Sequence, residues 1–181
     1  VDLGFLLITF FILTTSIIKP QTMEISMPSK DKVTDPPALK QSLAITILLG
    51  KNNVAYYYFG TQENGKDPEV IKSDFSSNGI RKMLLERNKS VVARIHELSL
   101  QKEAKQLTDS LYKKEVSKIK GDVNAPMVII KGTDGSNYNN LVDALDEMQI
   151  CNIGRYAVVD ISDYDWELLK KAGEPVDPVV K

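Results

Sequence analysis

The sequence is poor in the residues that most metal and catalytic sites require. Its 181 residues include one cysteine, one histidine and one tryptophan. A single cysteine, Cys151, excludes an internal disulfide and any zinc site built from several cysteines, and a single histidine, His96, excludes a multi-histidine metal centre. Positive charge is not in excess, because 23 basic residues face 24 acidic ones, so nothing predicts nucleic-acid binding by the chain. We predict no cofactor.

The apolar content is high enough for a folded core. Hydrophobic residues make up 43% of the chain and charged residues 26%, which excludes wholesale disorder and is typical of one domain with appendages. The apolar residues are concentrated at the front, where Asp2 is the only charged side chain among residues 1–18. Residues 1–18 and the rest of the chain are therefore expected to lie in different environments.

The front segment has the composition of a membrane helix. Residues 3–18 are uncharged and, at about 1.5 Å per residue, cover roughly 24 Å of a hydrocarbon layer that is about 30 Å thick. Lys19 and Pro20 follow as an interfacial charge and a helix breaker. We predict a transmembrane helix over residues 1–19. Because the run is slightly short, we expect residues before Val1 that complete the span and place Asp2 inside the membrane.

Three other interpretations of this segment remain open. It could be a signal peptide, although no basic region or small-residue cleavage site is visible. It could be a buried helix of a soluble protein, or Asp2 could simply flank the span. An ionised aspartate at the centre of a membrane helix costs about 2.5–3.5 kcal/mol, a cost that favours a functional role for Asp2.

A polar stripe runs along the same helix. Asp2, Thr9 and Ser16 are spaced by seven residues, with Leu6 and Leu13 between them, so the five positions share one face. Such a face suits a seam between proteins or a water-lined path. The alternative for Thr9 and Ser16 is a hydroxyl that donates to a carbonyl of its own helix.

The rest of the chain is predicted to be a linker and a small α/β domain. Residues 20–40 contain an alternating extended segment followed by a polar, proline-bearing linker, and residues 41–172 form the domain. Residues 173–181 contain two prolines and are predicted to be a disordered tail.

Within the domain, the pattern predicts the order β-β-α-α-β-α-β. Two apolar strands joined by a helix favour a parallel pair, so the fold class is an open mixed α/β sheet with helices packed on it. The predicted elements are a hairpin with strands 43–49 and 54–59, a loop over 60–74, a helix capped by Ser76 or Ser77 and continuing to Leu98, a solvated helix over 101–120, a strand over 126–131, a turn over 132–136, a helix over 138–150, a strand over 156–161 and a helix over 165–171.

Chemistry is scarce in this domain. The glycine-containing turn at 132–136 lacks the lysine and hydroxyl of a phosphate-binding loop. Cys151 is expected to be a small buried residue, and His96 an ordinary helix residue. No acid–base pair, triad or ligand cluster is visible, so we do not predict an enzyme.

The chain resembles the ExbD/TolR family over nearly its whole length. Residues 1–11, Val-Asp-Leu-Gly-Phe-Leu-Leu-Ile-Thr-Phe-Phe, are similar to the single transmembrane helix of that family. The strand and turn at 128–134, the helix at 138–148 and the strand at 156–161 follow in the family's order. The resemblance is closest to the ExbD branch.

This resemblance implies a single-pass protein of the Gram-negative inner membrane, in contact with lipid and with its C-terminal domain in the periplasm. It implies a homodimer inside a ring of ExbB/TolQ-like subunits, which uses the proton-motive force to energise a TonB-like protein and so opens outer-membrane receptors for siderophores and cobalamin-like nutrients. Asp2 aligns with the family's membrane aspartate, and its implied role is proton translocation. Leu6, Thr9, Leu13 and Ser16 are candidates for the transmembrane seam.

Two departures and three alternatives accompany the resemblance. The family's residues before the aspartate, which usually include a Thr-Pro pair, do not precede Asp2, and the charged helix over 101–120 is expected to be an insertion. The chain could instead be a TolR-like subunit that maintains envelope integrity. It could also be a membrane-anchored periplasmic binding or structural module without ion coupling, which should tolerate a leucine in place of Asp2. A soluble enzyme is the weakest alternative.

Overall fold

The computed structural model describes residues 2–17, 43–60 and 66–173. Its contacts divide the chain into two units, residues 1–33 and residues 34–181. The described part of the first unit is one helix, α1 (Asp2–Ile17). The predicted linker over 20–40 lies outside the described residues, as does the predicted tail beyond residue 173.

The second unit is built on a mixed sheet of five strands in the order β3-β2-β1-β4-β5. Strand β2 is antiparallel to both β1 and β3, whereas β4 is parallel to both β1 and β5. The predicted fold class, an open mixed α/β sheet, is confirmed at this level. The strands are β1 (Ala44–Leu49), β2 (Val54–Phe59), β3 (Ile71–Asp74), β4 (Met127–Gly132) and β5 (Arg155–Val158).

In residues 43–60 and 66–173, five helices accompany this sheet. They are α2 (Ile80–Arg87), α3 (Lys89–Glu103), α4 (Asp109–Lys120), α5 (Tyr138–Ile150) and α6 (Asp163–Lys171). The predicted bounds of α5 are those observed. Helix α6 begins two residues earlier than predicted, because the Ser162 hydroxyl caps it and the Asp165 side chain accepts the Ser162 amide in return.

The predicted loop over 60–74 was wrong at its end, which forms the strand β3. This strand has four residues, and Ile71 is its only apolar one; Ile71 pairs with Tyr57 of β2. The strand lies at the edge of the sheet, where polar residues are tolerated because one side faces solvent. Its composition therefore carries little strand signal.

The two helices predicted between residues 76 and 120 are three in the structure. Ser76 and Ser77 do not cap the first helix, which starts after Gly79 without a side-chain cap. The chain first turns tightly against Asp74, where a Cβ atom on residue 79 would lie 2.3 Å from the Asp74 carbonyl oxygen. The second break follows Glu103, and the Thr108 side chain accepts the Leu111 amide to start α4.

Apolar side chains cover both faces of the sheet. Ile45, Ile47 and Leu49 of β1 belong to a core with α2 and α5, whereas Leu48 packs with α6. Tyr57 lies on the α2–α5 side and its neighbours Tyr56 and Tyr58 on the α6 side, because successive side chains of a strand point to opposite faces. The sheet is therefore the middle layer of three.

Helices α3 and α4 form a hairpin with its own small core. Val91 and Ile95 of α3 are buried against Ile119 of α4 and against Ala125, with Leu98 and Val116 partly buried beside them. This hairpin contains most of the charged segment over 101–120. The helix predicted there is interrupted by residues 104–108, where Lys105 adopts a φ of 56°.

Gly154 allows the start of β5 to approach the end of α4. A Cβ atom at residue 154 would lie 2.6 Å from the Lys120 carbonyl oxygen, and a backbone atom cannot rotate away. We expect Gly154→Ala to lower the free energy of unfolding by about 1–3 kcal/mol, the usual cost of overpacking. Urea unfolding followed by the fluorescence of the single tryptophan, Trp166, measures this effect.

Gly121→Ala is the matched control for that substitution. Its Cβ atom would come no closer than 3.4 Å to a carbonyl oxygen, an ordinary contact distance. Equal destabilisation by the two substitutions would contradict the proposed clash and indicate a general sensitivity to alanine in this region.

Candidate functional site

Helix α1 carries the predicted proton-translocating residue in its first turn. Asp2 is exposed within its unit, and so is Leu6, one turn further along. Asp2 and Thr9 lie about 10.5 Å apart along the helix axis and on the same face. The structure therefore aligns the described members of the predicted stripe on one side of a helix whose only charged residue is Asp2.

The Thr9 hydroxyl is satisfied within its own helix. It donates to the carbonyl oxygens of Phe5 and Leu6, at 2.9 and 3.0 Å. This is the alternative that the sequence left open for Thr9. The side chains of Leu13 and Ser16 lie outside the described part of the chain, so the seam that includes them stays a prediction.

Helix α1 is 16 residues long. Within residues 2–17, 43–60 and 66–173, no helix has both the length and the apolar character needed to cross a membrane. The transmembrane span over residues 1–19 therefore stays a prediction.

In the second unit, a buried ion pair joins the sheet to α6. The Lys131 Nζ atom of β4 lies 2.6 Å from Asp165 Oδ2, and the Tyr58 hydroxyl of β2 donates to Asp165 Oδ1 at 2.7 Å. The Ser162 backbone N–H and hydroxyl also donate to this carboxylate. Asp165 is completely buried and Lys131 is 14% exposed, so both charges depend on each other for solvation.

Sequence reasoning missed this cluster, although two local signals were present. Lys131 ends an otherwise apolar strand, and Ser162 with Asp165 has the spacing of a capping box. Neither signal reveals that the two charges meet across 34 residues of sequence. That meeting depends on α6 packing against β1 and β2, beside β4.

Opposing effects set the protonation of Asp165. Burial raises the pKa of its carboxyl group, but the hydrogen bonds from Lys131, Ser162 and Tyr58 together outweigh burial and hold the pKa below its ordinary value. Burial is also the main reason why the pKa of Tyr58 is raised, and Asp165 adds to that shift. Asp165 is therefore ionised and Tyr58 neutral at physiological pH.

The lowered pKa predicts a loss of stability in acid. A carboxyl group whose pKa is lower in the folded than in the unfolded state stabilises the fold above the unfolded pKa, about 3.9 for aspartate. This contribution is lost as the pH falls below that value toward the folded pKa. We expect the stability difference between the native chain and Asp165→Asn to narrow between pH 6 and pH 3, measured by urea unfolding at each pH. A constant difference would contradict the assignment.

The Lys131–Asp165 pair does not line the neighbouring cleft. A cleft of about 370 Å³ lies beside the β1–β2 turn, and its lining includes Lys51, Lys72 and Trp166 but neither Lys131 nor Asp165. A largely buried charged pair in which each group is hydrogen-bonded holds the sheet and α6 together.

The remaining residues that the sequence singled out in the domain are Cys151, His96 and the turn over 132–136. Cys151 is completely buried, as predicted, and burial raises the pKa of its thiol to about 11. His96 is an exposed residue of α3, and the residues 132–136 form the predicted turn. Among the described residues, no group of three histidine, cysteine, aspartate or glutamate side chains could hold a metal ion.

Another charged pair of the domain also joins elements that are distant in sequence. Arg81 of α2 makes two hydrogen bonds to Glu147 of α5, at 2.6 and 2.9 Å. Asn88, between α2 and α3, is buried and donates to the carbonyl oxygens of Cys151 and Asn152. These contacts fix the helices on one face of the sheet.

Comparison with known families accounts for this combination of an apolar helix and a small α/β domain. The model of the family described as biopolymer transport protein ExbD/TolR matches residues 1–160. The chain belongs to the ExbD/TolR family. The family match includes Asp2 and extends through β5, and it does not separate the ExbD branch from the TolR branch.

No curated protein and no solved structure gives a significant match to the chain. At the level of the family, the role is biopolymer transport within energy-transducing membrane complexes. The matched range also contains residues 101–120, the segment that the sequence indicated as an insertion.

Proposed function

We propose that this chain is the ExbD-type subunit of a proton-driven motor. It works with a ring of ExbB/TolQ-like subunits and energises a TonB-like protein, which opens outer-membrane receptors for siderophores and cobalamin-like nutrients. The observation that supports a motor role is the family match over residues 1–160, because it includes the carboxylate at the start of an otherwise uncharged helix. The choice of the ExbD branch rests on the sequence resemblance alone.

Asp2 is the proposed proton-translocating group. An ionised carboxylate is expensive in hydrocarbon, so apolar surroundings favour the protonated side chain and polar ones favour the ionised side chain. One elementary charge that crosses 100 mV releases about 2.3 kcal/mol, which is comparable with the ~2.5–3.5 kcal/mol cost of placing the ionised group at a helix centre. Proton entry and exit at Asp2 can therefore drive motion of α1 against the ring.

The proposed arrangement is a homodimer in the Gram-negative inner membrane. Each chain crosses the membrane once, contacts lipid with its phenylalanine, isoleucine and leucine side chains, and carries the α/β domain in the periplasm. The proposed seam consists of Leu6, Thr9, Leu13 and Ser16. The Thr9 hydroxyl donates to carbonyl oxygens of its own helix, which limits the hydrogen bonds that it can make across the seam.

A deletion strain tests the ExbD assignment against the TolR alternative. The gene for this chain is deleted from its own host and then restored on a plasmid. We expect the deletion to abolish energy-dependent uptake of an iron siderophore or cobalamin, and the plasmid to restore it. Detergent resistance and retention of periplasmic proteins, which report envelope integrity, should change little.

If the deletion leaves uptake unchanged but lowers detergent resistance and the retention of periplasmic proteins, the chain has the TolR role. An effect on neither uptake nor envelope integrity would overturn the motor proposal and favour a membrane-anchored binding or structural module.

A further inference from the structure

The balanced charge of the chain conceals a strongly basic region. Residues 80–120, from α2 to α4, contain eleven basic and five acidic side chains, whereas the rest of the chain contains twelve basic and nineteen acidic ones. No property proposed above uses this charge. The α3–α4 hairpin is the part of the domain for which the family role gives no explanation.

The positive charge is most concentrated on the outward side of α4. Tyr112, Val116 and Ile119 face inward and are buried or half-buried. The six exposed positions opposite them form a surface without an acidic residue, which we name the basic face. Its members are Ser110, Leu111, Lys113, Lys114, Ser117 and Lys118.

The nearby acidic residues of the described part of the chain form no ion pair with the lysines of the basic face. Glu115 of α4 is half-buried and lies at the edge of this face. Asp109 pairs with Lys102 of α3 at 3.0 Å, and Asp122 pairs with Arg94 of α3 at 2.8 Å. Within the part of the chain that the structure describes, none of the three lysines of the basic face has an ion-pair partner. Three like charges within two turns repel one another, so an anionic surface placed against them is attracted.

One exposed leucine lies among these lysines. Leu111 of the basic face is 45% exposed. Lysines on a helix surface beside an exposed leucine suit a lipid interface, where the charges meet headgroups and the leucine enters the acyl boundary. An acidic protein surface would satisfy the lysines alone.

We propose that the basic face of α4 binds the surface of an anionic phospholipid membrane. The lysines supply the attraction and Leu111 the apolar contact. This site is separate from Asp2 and does not depend on proton coupling. Each lysine near such a surface contributes on the order of a fivefold gain in affinity, so the three together give on the order of 100-fold.

A co-sedimentation assay with the full chain tests the proposal. The chain is held in phosphatidylcholine nanodiscs, so that α1 is already accommodated, and is mixed with sucrose-loaded vesicles. One vesicle set is phosphatidylcholine, and the other contains 30% phosphatidylglycerol. We expect sedimentation with the anionic vesicles only, and a decrease when the salt rises from 0.1 to 0.5 M, as screening requires.

Substitutions locate the binding surface. The triple variant Lys113→Gln, Lys114→Gln, Lys118→Gln should lose most of the binding, and Leu111→Ser should lose part of it. The matched control neutralises three exposed lysines outside the hairpin, Lys51, Lys66 and Lys170, and should bind as the native chain does. Trp166 fluorescence verifies that each variant is folded.

Three results would overturn the proposal. They are equal sedimentation with both vesicle sets, binding that the α4 triple variant retains, and an equal loss in the control variant. Soluble polyglutamate is a further probe. If it binds through the same lysines while the anionic vesicles do not, the basic face recognises an acidic polypeptide and the membrane proposal fails.

Discussion

Asp2→Asn is expected to reduce energy-dependent nutrient uptake to the level of the deletion strain. Asparagine has nearly the same shape as aspartate but cannot take up or release a proton. If proton transfer through Asp2 drives α1, the substitution removes the coupling and leaves the helix otherwise intact. Siderophore or cobalamin uptake in the deletion strain, with the variant expressed at the native level, measures the effect.

Asp2→Glu and Thr9→Val are the matched controls. Glutamate keeps a titratable group one methylene further from the backbone and should retain part of the uptake. Valine at residue 9 removes only a hydroxyl that the helix's own carbonyls satisfy, so uptake should stay near the native level. Membrane insertion and co-purification with the ExbB/TolQ-like subunit must be unchanged in all variants. Native uptake by a correctly assembled Asp2→Asn protein would show that the helix is an anchor without ion coupling.

Asp165→Ala is expected to cause the largest loss of stability of the domain, about 3–5 kcal/mol. The substitution leaves the Lys131 ammonium group in a site where it is 14% exposed and removes the acceptor of the Tyr58 hydroxyl. It also removes the side chain that accepts the Ser162 amide at the start of α6. Urea unfolding followed by Trp166 fluorescence, with the full chain in detergent, measures the change.

Asp163→Ala controls for the effect of an acidic residue at the start of α6. Asp163 is also in the first turn but is exposed, so its removal should cost only about 0.3–1 kcal/mol through the helix dipole. Lys131→Met combined with Asp165→Ala should cost less than the two single substitutions added together, because no charge is then left buried and unpaired. Additive losses would contradict a direct interaction between the two groups.

Local patterns were sufficient where the neighbours in sequence are also the neighbours in space. The hairpin of β1 and β2 was predicted correctly, and its turn places Asn52 and Asn53 at φ values of 58° and 59°, a conformation that asparagine tolerates. The bounds of α5 were also correct, since Asn137 and Asn140 form a capping box at its start.

The predictions failed where a partner distant in sequence decides the structure. Strand β3 exists because β2 offers an unpaired edge, and its own residues show little strand preference. The helix predicted from Ser76 to Leu98 divides at Asn88, whose side chain is held by the segment after α5. In each case a long-range contact overrides the local pattern.

Composition, periodicity and the order of motifs along the chain were enough to predict the apolar helix that begins at Asp2, the α/β class and the family. The tertiary structure was needed to show that Lys131 and Asp165 form a buried pair and that the other side of α4 packs against α3, which leaves its three lysines exposed. The physical reason is that burial and pairing are properties of a side chain's surroundings. Those surroundings are assembled from segments that are far apart in sequence and come together only in the folded domain.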